Sequence, residues 1–195
     1  MPPKIKFTKK NIIDAALEIA KEKGLSHISA RSVANQLDSS VAPIYVNFVT
    51  IDDLVEAVVK RVFTMSEELF EEEKGESTFE KMGKASLTFA REYPELFREL
   101  VIQPNPYMAS YEDIENSLVD ALMQDQTMNG LTFEEAKRLM LKMRAFQVGL
   151  SVMVANGQVP SWLDDQEFDA LLMEVGDDVL LAYQIKRDEN NKENG

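Results

Sequence analysis

The hydrophobic residues of this chain recur every three or four positions along almost its whole length, which is the period of an amphipathic α-helix. In the first such segment the apolar positions are Ile13, Ala16, Leu17 and Ala20. Thr8 can cap this helix, and Gly24 is placed to end it. The strict apolar–polar alternation of a half-buried strand is not found. The pattern therefore predicts an all-α fold.

Two short helices are predicted next, separated by a polar break at Asp38, Ser39 and Ser40. Ser29 can cap the first, which has its apolar positions at Ala30, Val33, Ala34 and Leu37. We expect Ser40 to cap the second, so that Pro43 falls in the first turn, where a missing N–H breaks no hydrogen bond. Helix, break and helix together outline a helix-turn-helix, whose second helix enters the DNA major groove.

The rest of the chain also reads as helices. Thr50 and Asp53 have the spacing of a capping box, with Asp in place of Glu, and open a long helix to about Glu73. Further helices are expected at about 77–92, 94–102, 108–124, 133–156 (capped by Thr132) and 166–186. We therefore expect a head at 1–50, a larger body at 51–187 and a disordered tail at 188–195.

Composition narrows the class of protein. The chain has 195 residues and no cysteine, which excludes disulfides, thiolate metal sites and cysteine nucleophiles. The charged start lacks the apolar segment of a signal peptide, and no apolar run reaches the roughly 18 residues that a membrane span needs. We expect a cytoplasmic protein without a membrane partner.

The charge is distributed unevenly. Residues 1–63 contain nine Lys/Arg and seven Asp/Glu, a net charge of +2, whereas residues 64–195 contain twelve and 27, a net charge of −15. Four lysines, Lys4, Lys6, Lys9 and Lys10, lie close to the N-terminus. This distribution is compatible with nucleic acid binding at the first part only.

The stretch "IIDAALEIAKEKGLSHISARSVANQLDSSVAPIYVNFVTIDDLVEAV" resembles the DNA-binding domain of TetR/AcrR-type transcriptional regulators. The shared residues are Ala15, Ala16, Gly24, Ala34, Ser40, Tyr45, Phe48 and Leu54. "FAREYPELFREL" also resembles a segment of the second domain in that family. The resemblance implies a helical homodimer with a three-helix head on a palindromic DNA operator and a body that senses a small-molecule effector. Three positions depart from the family pattern: Asp38 replaces a usual Gly, Ser39 an apolar residue, and Ile51 a frequent Lys.

The third helix is the candidate for reading DNA, although Val41 to Val49 contains no Lys or Arg. Ile44 and Phe48 are interpreted as core residues. The candidates for the DNA-facing side are Val41, Ala42, Pro43, Tyr45, Val46 and Asn47. Val41, Ala42 and Pro43 can touch thymine methyl groups, the one hydrophobic mark in the major groove. Tyr45 and Asn47 can bond phosphates or base edges.

Phosphate binding does not require a charged third helix. The helix N-termini near Ser29, Ser40 and Thr50 present free N–H groups and the positive end of the helix dipole. Lys6, Lys9 and Lys10 lead into the first helix and can reach the DNA backbone. Arg31 lies where the resemblance implies a basic residue in contact with DNA.

Two further groups of residues are candidates in the body. A pocket for the effector could be lined by Phe97, Tyr107, Tyr111, Met143, Phe146 and Trp162, although for most of them a place in the core is the favoured interpretation. The last two helices are expected to pair with their symmetry mates as a four-helix bundle. Glycines within these helices cost stability unless they allow close helix approach, and Val175 and Val179 have no obvious partner within one chain. The proposed interface residues are Gly149, Val175, Gly176 and Val179.

Other functional classes have less support. No nucleophile elbow or glycine-rich phosphate loop occurs, so we expect no enzyme and no cofactor. His27 is the single histidine and has no partner Cys or His for a metal, so it is interpreted as a surface residue. The alternative that stays open is a helical protein-interaction module that docks on a partner protein and does not bind DNA.

Overall fold

The computed structural model describes residues 7–75, 78–107, 116, 119–120, 123–124 and 131–193, and every regular element in these ranges is helical. This confirms the all-α prediction. The helices are α1 Lys9–Lys23, α2 Ala30–Gln36, α3 Ala42–Asn47, α4 Ile51–Glu72, α5 Thr78–Glu92, α6 Pro94–Phe97, α7 Phe133–Ala155 and α8 Asp165–Glu193. A 3₁₀ turn, Leu25–His27, follows α1, and a π-helical turn, Arg98–Ile102, extends α6. The helix expected at 108–124 lies largely outside the described residues.

Most of the predicted caps are present. Thr8 accepts a hydrogen bond from the Asn11 N–H at 3.2 Å, and Thr132 accepts one from the Glu135 N–H at 3.4 Å. Gly24 ends α1, as predicted, with φ +93°. The helix α8 continues to Glu193, beyond the start of the tail expected at 188–195, and the disorder of that tail stays a prediction. No Gly or Pro interrupts the chain there to stop a helix.

The chain forms two compact units, and their boundary differs from the predicted division at residue 50. The first unit comprises Met1–Leu69 and Glu92–Met108, and the second comprises Phe70–Arg91 and Ala109–Gly195. The reason is that the continuous helix α4 belongs to the first unit as far as Leu69, and that α6 packs against α1. The first unit therefore contains not only the predicted head at 1–50 but also residues 51–69 and 92–108.

Buried apolar side chains from α1 to α4 and from α6 fill the first unit. They include Ile12, Ala16, Val33, Ile44, Leu54, Val58, Leu96 and Phe97. In α1 the fully buried isoleucine is Ile12, whereas the predicted Ile13 is half-buried. The other three predicted positions, Ala16, Leu17 and Ala20, are buried, so the predicted stripe is confirmed except at Ile13.

The second unit contains two apolar clusters. One combines Val119, Leu131, Ala136, Leu139, Met140 and Met143. The other combines Leu87, Leu150, Phe168 and Leu172. At Gly83 on α5 an added Cβ would lie 2.2 Å from Leu172 Cδ2, so this glycine permits close packing against α8. An ion pair between Arg91 and Asp169, at 2.9 Å, joins the same two helices.

Neither a membrane span nor a metal site emerges from the residues that are described. Over these ranges no helix is both long and apolar enough to cross a bilayer. The same ranges hold no group of three His, Cys, Asp or Glu side chains placed to bind a metal ion.

Candidate DNA-binding surface

The start of α2 is fixed by two serines. The Ser29 hydroxyl accepts a hydrogen bond from the Ser32 N–H at 3.1 Å, and the Ser32 hydroxyl accepts one from the Ser29 N–H at 2.9 Å. This confirms the predicted cap at Ser29 and makes it reciprocal. Arg31 lies in the first turn of α2 with its side chain exposed. In the described part of the chain Arg31 makes no ion pair, so its charge is available to a ligand.

The turn between α2 and α3 is closed by Asp38, which has φ +48° and is the only non-glycine residue with positive φ among those described. Its N–H donates to the Asn35 carbonyl at 3.1 Å, and the Ser39 N–H donates to the Ala34 carbonyl at 2.9 Å. These two bonds form a Schellman motif, in which a left-handed residue ends a helix. Asp38 therefore supplies the conformation for which the resembling family usually has glycine.

The start of α3 differs from the prediction. Val41, not Ser40, is the N-cap residue, and no side chain caps the helix. The Val41 carbonyl accepts hydrogen bonds from the N–H groups of Ile44 and Tyr45, at 3.1 and 3.4 Å. The prediction of Ser40 as the cap is therefore wrong by one residue, because the Schellman turn reaches Ser39 and leaves Ser40 as a link. Pro43 still lies in the first turn of α3.

One side of α3 is buried and the other is exposed. Ile44 and Phe48 are buried, as expected of core residues. On the other side Val46 is 74% exposed, and Val49, just beyond the end of α3, is 87% exposed. The remaining exposed side chains of this uncharged face are Val41, Ala42 and Tyr45, whereas Pro43 is half-buried. A solvent-facing surface that combines three valines and a tyrosine is typical of a binding surface.

Asn47 is held within its own helix. Its Nδ2 donates to the Pro43 carbonyl at 2.8 Å, and the residue is half-buried. This bond ties the side chain to a carbonyl in the first turn of α3. The amide oxygen and the second N–H of Nδ2 are then the groups of the Asn47 side chain that stay available for a ligand.

The cations of α1 are partly engaged. Lys10 Nζ lies 2.9 Å from Asp14 Oδ2, and Lys9 Nζ lies 4.9 Å from the centroid of the Phe48 ring. Lys6 lies outside the described residues. Of the four predicted cations, Arg31 is thus the one that the described structure leaves without an internal contact.

The start of α4 is the predicted capping box. The Thr50 N–H donates to Asp53 Oδ2 at 2.8 Å, and the Asp53 N–H donates to Thr50 Oγ1 at 3.1 Å. The hydrogen bond from the Thr50 backbone, followed by that from its hydroxyl, holds the pKa of the Asp53 carboxyl below its usual value. Thr50 is therefore already bonded within the chain, and its N–H is not free for a phosphate.

The predicted effector-lining residues fall in both units. Phe97 is buried in the first unit, and Tyr107 lines a cleft of about 340 Å³ in that unit, together with residues such as Leu25, Val55 and Glu99. In the second unit Met143 belongs to one apolar cluster and Phe146 packs against the other. Trp162 is 76% exposed. Tyr111 lies outside the described residues, and a ligand role for this set stays a prediction.

The predicted interface residues differ in how exposed they are. Gly149 is exposed, and a Cβ added there would meet no described atom within 4 Å. Gly176 is buried and Val175 is half-buried. Val179 packs against the cluster that contains Leu139 and Met143. The expectation that Val179 lacks a partner within the chain is therefore wrong, because it faces α7 of its own unit.

Two residues at this surface and its supports, Val49 and Glu99, were not among the residues predicted from the sequence. Val49 lies just beyond α3, and the helical pattern gave no reason to include it. Glu99 accepts hydrogen bonds from the turn after α1, about 74 residues away in sequence. No local signal in the sequence indicates such a distant contact.

Several solved structures share this architecture. A TetR-like transcriptional regulator from Rhodococcus sp. RHA1 is 16% identical, with a TM-score of 0.62 over 86% of this chain and 92% of that one. TetR from Acinetobacter baumannii AYE is 18% identical, with a TM-score of 0.59 over 93% and 99%. A variant of TetR from that organism, in complex with minocycline, is 17% identical, with a TM-score of 0.57 over the same shares.

At the level of sequence, no family model and no curated protein matches the chain. The structural likeness extends over most of each chain, although few residues are identical. By its three-dimensional structure, the chain has the fold of the TetR-like transcriptional regulators.

Proposed function

We propose that this protein is a DNA-binding transcriptional regulator that acts as a homodimer on a palindromic operator and is released by a small-molecule effector. The observation that carries the proposal is the uncharged, exposed face of α3, which follows a rigid Schellman turn and lies on the helix expected to read DNA. Apolar side chains on such a face suit thymine methyl groups in the major groove.

The positive charge that attracts the DNA backbone lies outside α3. Arg31 is exposed and without an ion pair in the described structure, and Tyr45 projects from α3 into solvent. Lys9 and Lys10 add charge at the start of α1, and a dimer doubles each contribution. Phosphate contacts of this kind position the protein, whereas contacts to base edges select the sequence.

The dimer is proposed to form through the exposed faces of α7 and α8. On α7 the exposed residues at helical spacing are Arg138, Leu141, Lys142, Ala145 and Gly149. On α8 they are Glu174, Asp177, Asp178, Leu181 and Ile185. One face is basic and the other acidic, so that α7 of one protomer complements α8 of its partner. The open space at Gly149 permits a close approach of helices.

The effector is proposed to act by a difference in affinity. A ligand that binds one arrangement of the dimer more tightly than another shifts the population toward that arrangement and changes DNA affinity reciprocally. Release from the operator, and therefore repression, is the direction that we propose.

One observation supports a second candidate function. The exposed apolar face of α3 would also suit a groove on a partner protein, because large apolar side chains are enriched at the centres of protein interfaces. Such binding would depend weakly on salt, whereas binding to DNA depends on it strongly.

The test begins with selection of bound duplexes from random sequence, followed by measurement of affinity at several salt concentrations. With about 6–8 phosphates neutralised per dimer, log K against log salt should have a slope of about −5 to −7. Arg31→Ala/Tyr45→Ala should weaken binding strongly. Lys60→Ala/Phe63→Ala, which removes an exposed cation and an exposed aromatic residue from α4, serves as the matched control. A slope near zero, or equal affinity of both double variants, would contradict DNA binding through α3.

A further inference from the structure

Glu99 reaches from the π-helical turn to the turn between α1 and α2. Its carboxylate accepts a short hydrogen bond from the Leu25 N–H through Oε2, and a longer one, 3.5 Å, from the Ser26 N–H through Oε1. About 74 residues separate the partners in sequence. All three residues belong to the first compact unit.

The turn that Glu99 contacts has no side-chain cap of its own. The 3₁₀ turn Leu25–His27 follows Gly24, which has no side chain to accept the first free N–H groups. Glu99 supplies that acceptor from a distant part of the chain. A Cβ on Gly24 would lie 2.7 Å from Glu99 Oε1, so the close approach of the carboxylate depends on glycine at this position.

The backbone of Glu99 is itself fixed. The Gln103 N–H donates to the Arg98 carbonyl at 2.9 Å, which closes the π-helical turn. Asn105 Nδ2 donates to the carbonyls of Glu99 and Leu100, both at 3.1 Å. π-helical turns of this kind recur at functional sites. The carboxylate is thus presented from a rigid support.

We infer that Glu99 is a positioning residue for DNA recognition, which sets the direction in which the chain leaves α1 and enters the helix-turn-helix. This inference rests on the proposed function. It makes the segment 92–107 a working part of the DNA-binding head, although that segment follows α5 in sequence. The head then reads its operator correctly only while Glu99 caps the turn after α1.

Because Glu99 is charged, substituting it has two effects on DNA binding, one through the position of the turn and one through electrostatic repulsion, and these two effects can be distinguished. Removing a carboxylate from the head reduces repulsion of the DNA backbone, which by itself would tighten binding to any sequence. Loss of positioning would instead weaken binding to the correct sequence alone. The two effects have opposite signs.

The experiment compares Glu99→Ala, Glu99→Gln and the control Glu95→Gln in the full chain. Glu95 pairs with Arg98 at 2.5 Å on the same helix, so its substitution removes a similar charge without touching the turn. The probes are a duplex selected by the wild-type protein and a scrambled duplex of equal length. Exchange rates of the Leu25 and Ser26 amide protons report on the cap directly, and thermal unfolding verifies that each variant is folded.

For Glu99→Ala we expect about tenfold weaker binding to the selected duplex, unchanged or tighter binding to the scrambled duplex, and faster exchange of both amides. Glu99→Gln keeps one acceptor and should be intermediate. Glu95→Gln should match the wild type in exchange and in selectivity.

Wild-type affinity of Glu99→Ala for the selected duplex would overturn the inference, and so would equal losses on both duplexes, which would indicate a general loss of folding. If the wild-type protein itself binds no duplex, the proposed function is contradicted, and this inference, which rests on it, is contradicted as well. The wild-type arm therefore tells the two failures apart.

Discussion

The ammonium group of Lys9 lies 4.9 Å from the centre of the Phe48 ring. Lys9 begins α1, and Phe48 is the buried residue that ends α3, so this cation–π contact links the start of α1 to the end of α3. Arg31 makes no ion pair or ring contact among the described residues. The two cations should therefore differ in what they stabilise.

Replacing each of them with methionine tests this difference. Lys9→Met should lower the free energy of unfolding by about 0.5 kcal/mol, because the cation–π contact is lost at a partly exposed site. Arg31→Met should leave that free energy nearly unchanged but reduce the salt slope of DNA binding by about 2 per dimer. Chemical denaturation and salt titration measure the two quantities. A larger loss of stability for Arg31→Met would contradict the assignment.

The positive φ of Asp38 predicts that a glycine at position 38 stabilises the protein, whereas a glycine at position 39 destabilises it. Asp38→Gly should stabilise the protein by about 0.5–1 kcal/mol, because glycine adopts the left-handed conformation without a Cβ clash. Ser39→Gly, in the same turn but without positive φ, should be destabilising, since it only increases the freedom of the unfolded chain. Thermal unfolding of both variants provides the comparison. A destabilised Asp38→Gly would show that the aspartate side chain contributes more than its backbone conformation costs.

The sequence was sufficient for four of the caps, since Thr8, Ser29, Thr50 and Thr132 all act through hydrogen bonds to residues three positions away. Ser40 was misplaced because the extent of a Schellman turn depends on which residue adopts positive φ, and Asp38 does so without being glycine. Glu99 and Val179 were missed or misread for another reason. Their contacts lie with distant segments, which helical periodicity does not encode.

The capping box at the start of α4 predicts a dependence of stability on acid. The pKa of the Asp53 carboxyl is lowered in the folded protein by its hydrogen bonds with Thr50. Its contribution to stability is therefore complete above the pKa of the unfolded chain, near 4, and is lost as the pH falls through the lower folded-state pKa.

Asp53→Asn should remove that part of the acid dependence, so that its stability falls less steeply below pH 4 than that of the wild type. Asp52→Asn takes a charge from the same turn while the box stays intact, and it should retain the steeper fall. Urea unfolding across the acid range measures both. Identical acid profiles for Asp53→Asn and the wild type would contradict the role of this carboxylate.

The apolar face of α3 predicts the composition of the operator. Half-sites should contain thymines opposite Val41, Ala42 and Val46, and replacing those thymines with uracil, which removes only the methyl group, should weaken binding. Uracil placed outside the half-sites provides the control. Selected operators that are rich in G·C at these positions, or indifferent to uracil, would show that another group reads the sequence.

The proposed dimer predicts different outcomes for two kinds of substitution on α8. Leu181→Glu/Ile185→Glu changes exposed residues and should give a folded monomer. Val179→Glu places a charge against the apolar cluster of its own unit and should destabilise the fold by about 2–4 kcal/mol. Sedimentation and circular dichroism separate these results. A folded, dimeric Leu181→Glu/Ile185→Glu variant would place the interface elsewhere.

The absence of Lys and Arg from α3 has a consequence for how a regulator of this kind would search a genome. Residence on random DNA is governed by phosphate neutralisation, and α3 has no Lys or Arg, so the helix that reads bases adds no affinity for random DNA. Such a protein would spend less time bound to the vast excess of irrelevant sites. Fewer copies of the protein per cell would then be enough to keep one operator occupied. After an effector has released the protein from its operator, little of it would stay bound to the rest of the chromosome.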